Sequence, residues 1–194
     1  MIRVFLAVEL SSNIQEKLFA LQQQLKGTLP PINWVRPESI HLTLKFLGYV
    51  DPSFVSPLLS ALEPIGEKYA PFSVDVRGLG VFPQVRHPRI FWVGLTGNTQ
   101  ALQDLVFEID VVLETMGFPP EEKTYHPHLT LARIKRENAK VGSALIQTKA
   151  LESDQHLGTL NVNGFTLFQS DLDSSGAKYT SLWTVPFSEK PPGS

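Results

Sequence analysis

With 194 residues, no cysteine, and 17 Lys plus Arg against 19 Asp plus Glu for a formal charge of −2, the chain has no disulfide framework, no thiolate metal site and no overall cationic field to gather long nucleic acid. A hydrophobic share of 42% beside 19% charged residues is that of a globular protein with a real core. The apolar run Val4–Val8 stops at Glu9, too short for a secretory leader, and no stretch approaches the roughly 20 apolar residues of a membrane span, so a cytoplasmic monomer that avoids membranes is expected.

Arg3–Leu10 reads as a strand, and Ser11-Ser12-Asn13 offers caps to a helix in which Ile14, Leu18, Leu21 and Leu25 recur at helical spacing until Gly27 and Pro30-Pro31 stop it. From Ser39 to Val50, Ile40, Leu42, Leu44 and Phe46 alternate with His41, Thr43 and Lys45, the period of a strand. Residues 52–69 predict a second helix with Leu58, Leu59 and Leu62 as its apolar stripe. Phe72–Phe82 and Arg89–Leu95 predict a long hairpin, broken by Pro83, His87 and Pro88. Asn98-Thr99 opens a helix that runs to Met116 and ends at Gly117. After Tyr125-His126-Pro127 a strand spans His128–Ile134, then a helix Ala139–Ala150, then strands Thr159–Ser170 and Lys178–Pro186 joined by Asp173-Ser174-Ser175-Gly176. The end, 191–194, reads as a disordered tail beyond a single domain of residues 1–190.

One pattern occurs twice. His41-Leu42-Thr43-Leu44 and His128-Leu129-Thr130-Leu131 stand 87 residues apart, each followed by a helix and two predicted strands, and they use two of only five histidines. In a strand, residues i and i+2 share a face, so each copy presents an imidazole beside a hydroxyl while its leucines enter the core. A single copy is an ordinary amphipathic strand. Two copies in a duplicated chain predict two pseudo-symmetric αβ lobes facing one another across a cleft, with two imidazoles and two hydroxyls around one small volume.

That set suits a phosphodiester. One group must take a proton from the nucleophile while another protonates the leaving oxygen, and imidazole, with an ordinary pKa of about 6.5, does either near neutrality. Hydroxyls then donate to the non-bridging oxygens as charge shifts.

The segments Ser39-Ile40-His41-Leu42-Thr43-Leu44-Lys45-Phe46-Leu47-Gly48 and Tyr125-His126-Pro127-His128-Leu129-Thr130-Leu131-Ala132-Arg133 resemble the two signatures of the two-histidine phosphoesterase superfamily, in its LigT-like branch. Similarity extends over Arg3-Val4-Phe5-Leu6-Ala7, Trp34-Val35 and Arg86–Gly94, and so over most of the chain. The resemblance implies an α+β, bilobal fold with antiparallel sheets lining a central cleft. It implies metal-independent, cofactor-free hydrolysis of RNA 2′,3′-cyclic phosphate ends to 2′-phosphates, and 2′-5′ RNA ligation by the same chemistry. His41 would be the proton donor, His128 the proton acceptor, and Thr43 and Thr130 the phosphate-binding pair. A phosphodiesterase for a small cyclic nucleotide or ADP-ribose cyclic phosphate, or a nucleotide- or RNA-binding module without turnover, would use the same cleft.

Further candidates for substrate contact are Arg133, Lys45, Phe46 and Trp34. Strict alternation puts Lys45 with His41 and Thr43, and Phe46 in the core. It puts Arg133 opposite His128 and Thr130 unless a strand end or bulge redirects it. His126 shares parity with His128, but no carboxylate-and-histidine ligand set accompanies it, so it reads as a rim residue rather than a metal ligand. His87 and His156 read as surface residues in loops.

Overall fold

The computed structural model describes residues 1–135, 138, 140–173 and 176–189; the expected tail at 191–194 and the turn residues Ser174 and Ser175 lie outside them. The strands are β1 (Ile2–Val8), β2 (Asn33–Trp34), β3 (Leu42–Val50), β4 (Phe72–Phe82), β5 (Ile90–Gly97), β6 (His128–Arg133), β7 (His156–Val162), β8 (Gly164–Asp173) and β9 (Gly176–Pro186). The helices are α1 (Ser12–Lys26), α2 (Val55–Gly66), α3 (Thr99–Thr115) and α4 (Lys140–Gln147). None of the helices among the described residues is long and apolar enough to cross a membrane.

All strand pairs are antiparallel, and the strands form one path, β7-β4-β5-β6-β3-β1-β8-β9, with β2 beside β6. The half β9-β8-β1-β3 is one lobe and the half β6-β5-β4-β7 the other. They join at the middle through a single residue pair, Leu42↔Leu129, where the two motif strands meet. One lobe is the image of the other about that point.

Helices α1 and α3 are exchanged between the lobes. Ser11 caps α1 by accepting from the Ile14 amide. Although α1 follows β1, it packs against β7 of the opposite lobe, with Ile14 and Lys17 over Gly158. In the same way α3 follows β5 and packs against α2 and β3 of the first lobe. One continuous core results, from Val4 and Leu6 through Leu42, Leu105, Ile109 and Leu129 to Phe165. A separate small cluster, Phe5, Ala7 and Phe168, lies on the other face of β1 and β8 and faces the cleft.

Most expected elements stand near their predicted bounds. The expected strand Thr159–Ser170 is instead two strands in different lobes: β7 edges one half-sheet and β8 pairs with β1 in the other. The break falls at Asn163-Gly164, where a Cβ on Gly164 would collide with the Val185 carbonyl across the β8–β9 ladder. The alternation slips phase here, from Leu160 and Val162 to Phe165 and Leu167, so the change of sheet is marked in the sequence by that slip and by the turn-forming Asn163-Gly164.

Candidate active site

The pairing Leu42↔Leu129 decides the geometry. Both leucines are fully buried, so their neighbours point to the other face, into the cleft. Antiparallel register then sets His41 across from Thr130 and Thr43 across from His128. Facing side chains in such a pair sit about 5 Å apart and diagonal ones roughly 7–8 Å, so the two imidazoles lie on one diagonal and the two hydroxyls on the other, about a space the size of a phosphate. Neither threonine hydroxyl has a hydrogen-bond partner among the described residues, which leaves both free to donate to a ligand.

Each imidazole has its own aromatic wall. His41 stacks on Phe5 with ring centroids 4.6 Å apart, meets the edge of Tyr179 at 5.0 Å and lies 6.2 Å from Phe168. His128 meets Phe82 edge-on at 5.0 Å and Trp92 at 6.3 Å. Each ring is also tied to backbone two residues upstream: Nδ1 of His128 donates to the His126 carbonyl at 2.7 Å, and the His41 ring bonds to the Ser39 backbone. A carbonyl can only accept, so His128 carries its proton on Nδ1 and keeps Nε2 as a free acceptor.

These surroundings disfavour the imidazolium form. Burial, with a small addition from the Arg133 guanidinium, brings the pKa of His41 from 6.5 down to about 4, against the opposing pull of the Ser39 backbone. Burial also depresses His128, helped by His126 and Arg133. Both rings are therefore neutral in the free protein at pH 7, and a phosphate anion placed between them would favour a proton on one.

The other candidates are sorted by a pair of β-bulges. On the β1–β3 ladder Ala7 faces Thr43 and Leu6 faces Lys45, leaving Leu44 unpaired; on the β5–β6 ladder Trp92 faces Thr130 and Phe91 faces Ala132, leaving Leu131 unpaired. Each bulge reverses the parity of the residues after it. Lys45 therefore leaves the His41 face: it is buried, with Nζ 2.7 Å from Asp110 on α3 and donating to the Pro119 carbonyl at 2.8 Å, and it is no part of the phosphate lining. Phe46 turns out of the core onto the cleft face, 53% exposed and 5.8 Å from Phe5. Arg133 is carried to the same face as His128 and Thr130, where its charge reaches both histidines. Phe46 and Arg133 hold the same place in their two strands.

Trp34 does not join the site. It pairs with Ala132 on β6, packs edge-on against Phe91 of the core and lies under Lys26 of α1. His126 is an exposed rim residue, edge-on to Phe82 at 5.4 Å and tilted against Trp92 at 5.1 Å. His87 is exposed in a turn, whereas His156 opens β7 and bonds to Asp75 at 3.1 Å. Sequence reasoning missed Phe5, Phe82, Phe168 and Tyr179, because an aromatic on an alternating strand gives no sign of which face meets an imidazole. Among the described residues no group of three His, Cys, Asp or Glu side chains is placed to hold a metal ion.

The comparisons with known proteins match the duplicated architecture. The model of the "LigT like Phosphoesterase" family matches twice, over residues 8–92 and 93–179, one copy for each motif. The RNA 2′,3′-cyclic phosphodiesterase of Aeropyrum pernix is 34% identical over 169 residues, covering 87% of this chain and 94% of that protein. The RNA 2′,3′-cyclic phosphodiesterase of Methanothermobacter thermautotrophicus is 32% identical over 183 residues, 93% of this chain and 96% of that protein. Among solved structures, TT0787 of Thermus thermophilus superposes with a TM-score of 0.79 at 26% identity, over 95% of this chain and 97% of that one. E. coli LigT complexed with 3′-AMP shares the fold, with a TM-score of 0.76 at 23% identity over 96% and 98%. Two family-model matches spanning most of the sequence, each containing a His-x-Thr strand of the same bilobal fold, establish that the chain belongs to the LigT-like phosphoesterase family.

Proposed function

We propose that the cleft opens 2′,3′-cyclic phosphates at RNA ends, leaving 2′-phosphates, with His41 and His128 as the proton-transfer pair. The observation that carries this reading is the diagonal arrangement at Leu42↔Leu129, two imidazoles and two unengaged hydroxyls around one phosphate-sized space, in a chain whose relatives at 30–34% identity are RNA 2′,3′-cyclic phosphodiesterases. Nε2 of His128 takes a proton from water as its oxygen bonds to phosphorus. The P–O3′ bond breaks, and His41 delivers its proton to the departing 3′ oxygen. Thr43 and Thr130 donate to the non-bridging oxygens, and Arg133 pairs with the negative charge that the phosphate carries from binding onward. Phe46, exposed at the cleft mouth beside Phe5, supplies a face on which the terminal base can stack.

Replacing His41 or His128 by Ala is expected to lower kcat on a cyclic-phosphate RNA by about 10²–10⁴, the usual worth of a positioned acid or base, with EDTA having no effect. A substrate with sulfur in place of the 3′ bridging oxygen needs no proton on its leaving group. That substitution is expected to restore most of the rate to His41→Ala and none to His128→Ala; rescue of the second variant instead would reverse the roles. If both variants turn over at the parent rate, the reading fails.

A further inference from the structure

Arg133 is turned to the cleft face by the bulge at Leu131. A bulge leaves a backbone carbonyl off the ladder, and a buried carbonyl without a partner is costly. The Leu131 carbonyl is met twice. The Val35 amide donates to it at 2.9 Å, and the Gln22 side-chain amide reaches it at 3.1 Å while also donating to the Val35 carbonyl at 2.8 Å. Gln22 is 1% exposed, a polar side chain set in the otherwise apolar buried stripe of α1.

The other lobe repeats the device. The buried positions Ile14, Leu18, Leu21, Gln22 and Leu25 of α1 have the spacing of Leu102, Val106, Ile109, Asp110 and Leu113 of α3. Asp110, at the place of Gln22, grips Lys45, the residue just after the unpaired Leu44. Each exchanged helix thus sends one polar side chain through its apolar face to the bulge of a motif strand. A helix that served only to cover the sheet would have an apolar residue at both places.

We propose that Gln22 is a positioning residue for Arg133: by bridging the Leu131 and Val35 carbonyls it holds the β6 bulge and so aims the guanidinium at the bound phosphate. This rests on the phosphodiesterase reading for its kinetic consequence but not for its structural one. The charges acting on the two imidazoles are Arg133 on both and His126 on His128, so a displaced guanidinium registers in the histidines of the free protein, with no substrate present.

The test compares Gln22→Met, which keeps the volume and removes both donors, with Leu21→Ala, a neighbour on the same buried stripe that touches neither carbonyl. Gln22→Asn, one methylene short, serves if the Met variant is too unstable. In the Gln22 variant, NMR titration is expected to show both histidines moved upward towards 6.5. KM for cyclic-phosphate RNA should rise about tenfold, the lower end for losing one hydrogen bond to a charged group, with kcat changed less. Added to Arg133→Gln, the variant should raise KM no further. Unmoved histidine titrations in the Gln22 variants, or equal shifts in Leu21→Ala, would overturn the proposal. If the titrations move but no RNA phosphate is hydrolysed by the parent, the positioning role stands and the substrate assignment falls.

Discussion

The histidines are placed where their environment works against their charge, and this has two consequences with definite sign. For stability, a folded-state pKa of about 4 against 6.5 unfolded means that the unfolded chain binds the His41 proton first as the medium acidifies. The contribution is complete above pH 6.5 and disappears as pH falls from 6.5 to about 4, with His128 adding in the same direction. Replacing His41 with Phe, which can keep the stack on Phe5, is expected to flatten that acid loss by up to about 3 kcal/mol in denaturant titrations, and an unchanged pH dependence would contradict the burial argument. For activity, kcat/KM reports the free enzyme, and a cyclic phosphodiester keeps one negative charge throughout the working range. One imidazole must be protonated and the other neutral, and both pKa values lie below 6.5, so the bell is expected to peak on the acid side of 6.5 and to fall through neutrality. A rate that climbs from pH 6 to pH 8 would exclude this pair as acid and base.

At the scale of the strand, the sequence carried the motif faces and concealed the bulges. His41, Thr43, His128 and Thr130 follow plain alternation and are legible in four residues each. Lys45, Phe46 and Arg133 come after Leu44 and Leu131, and an unpaired residue has no signature in hydrophobic period, so alternation inverts all three. The buried Lys45 is the sharpest case: what reads as a cation for phosphate is half of an ion pair between β3 and α3, with the two side chains 3% and 17% exposed. Removing one partner strands the other charge, so Asp110→Ala is expected to cost about 3 kcal/mol or more, whereas Lys45→Met, which keeps the stem and leaves the less buried Asp110 closer to water, should cost less. On the β4–β5 ladder Gly80 faces Trp92 because a Cβ there would strike the indole that backs His128, and Gly94 lies beneath the same ring. Gly80→Ala is expected to lower both Tm and kcat, with altered Trp fluorescence as the sign that the indole has moved.

The duplication is visible at the scale of the chain, but the exchange of parts between its halves is not, because period and capping say what an element is and not which sheet it covers. Each lobe is built from both halves: β4 of the first half lies beside β5 of the second lobe, and β8 returns from the second half to lie beside β1. The first half's α1 covers β7, and the second half's α3 covers β3. Cut at the family-model boundary, residues 1–92 would expose the α1 face meant for β7 and a β3 without α3, with Lys45 separated from Asp110. Neither half then buries a closed core, and folding should be a property of the whole. Far-UV and near-UV signals of the intact chain are therefore expected to unfold in one coincident transition, residues 1–92 alone to show no cooperative melt, and the two fragments together to recover both the melt and the phosphodiesterase activity. Two separated transitions in the intact chain, or an independently folded half, would mean that the lobes are held by their own cores, and that the diagonal of imidazoles is maintained by the Leu42↔Leu129 contact without the exchanged helices.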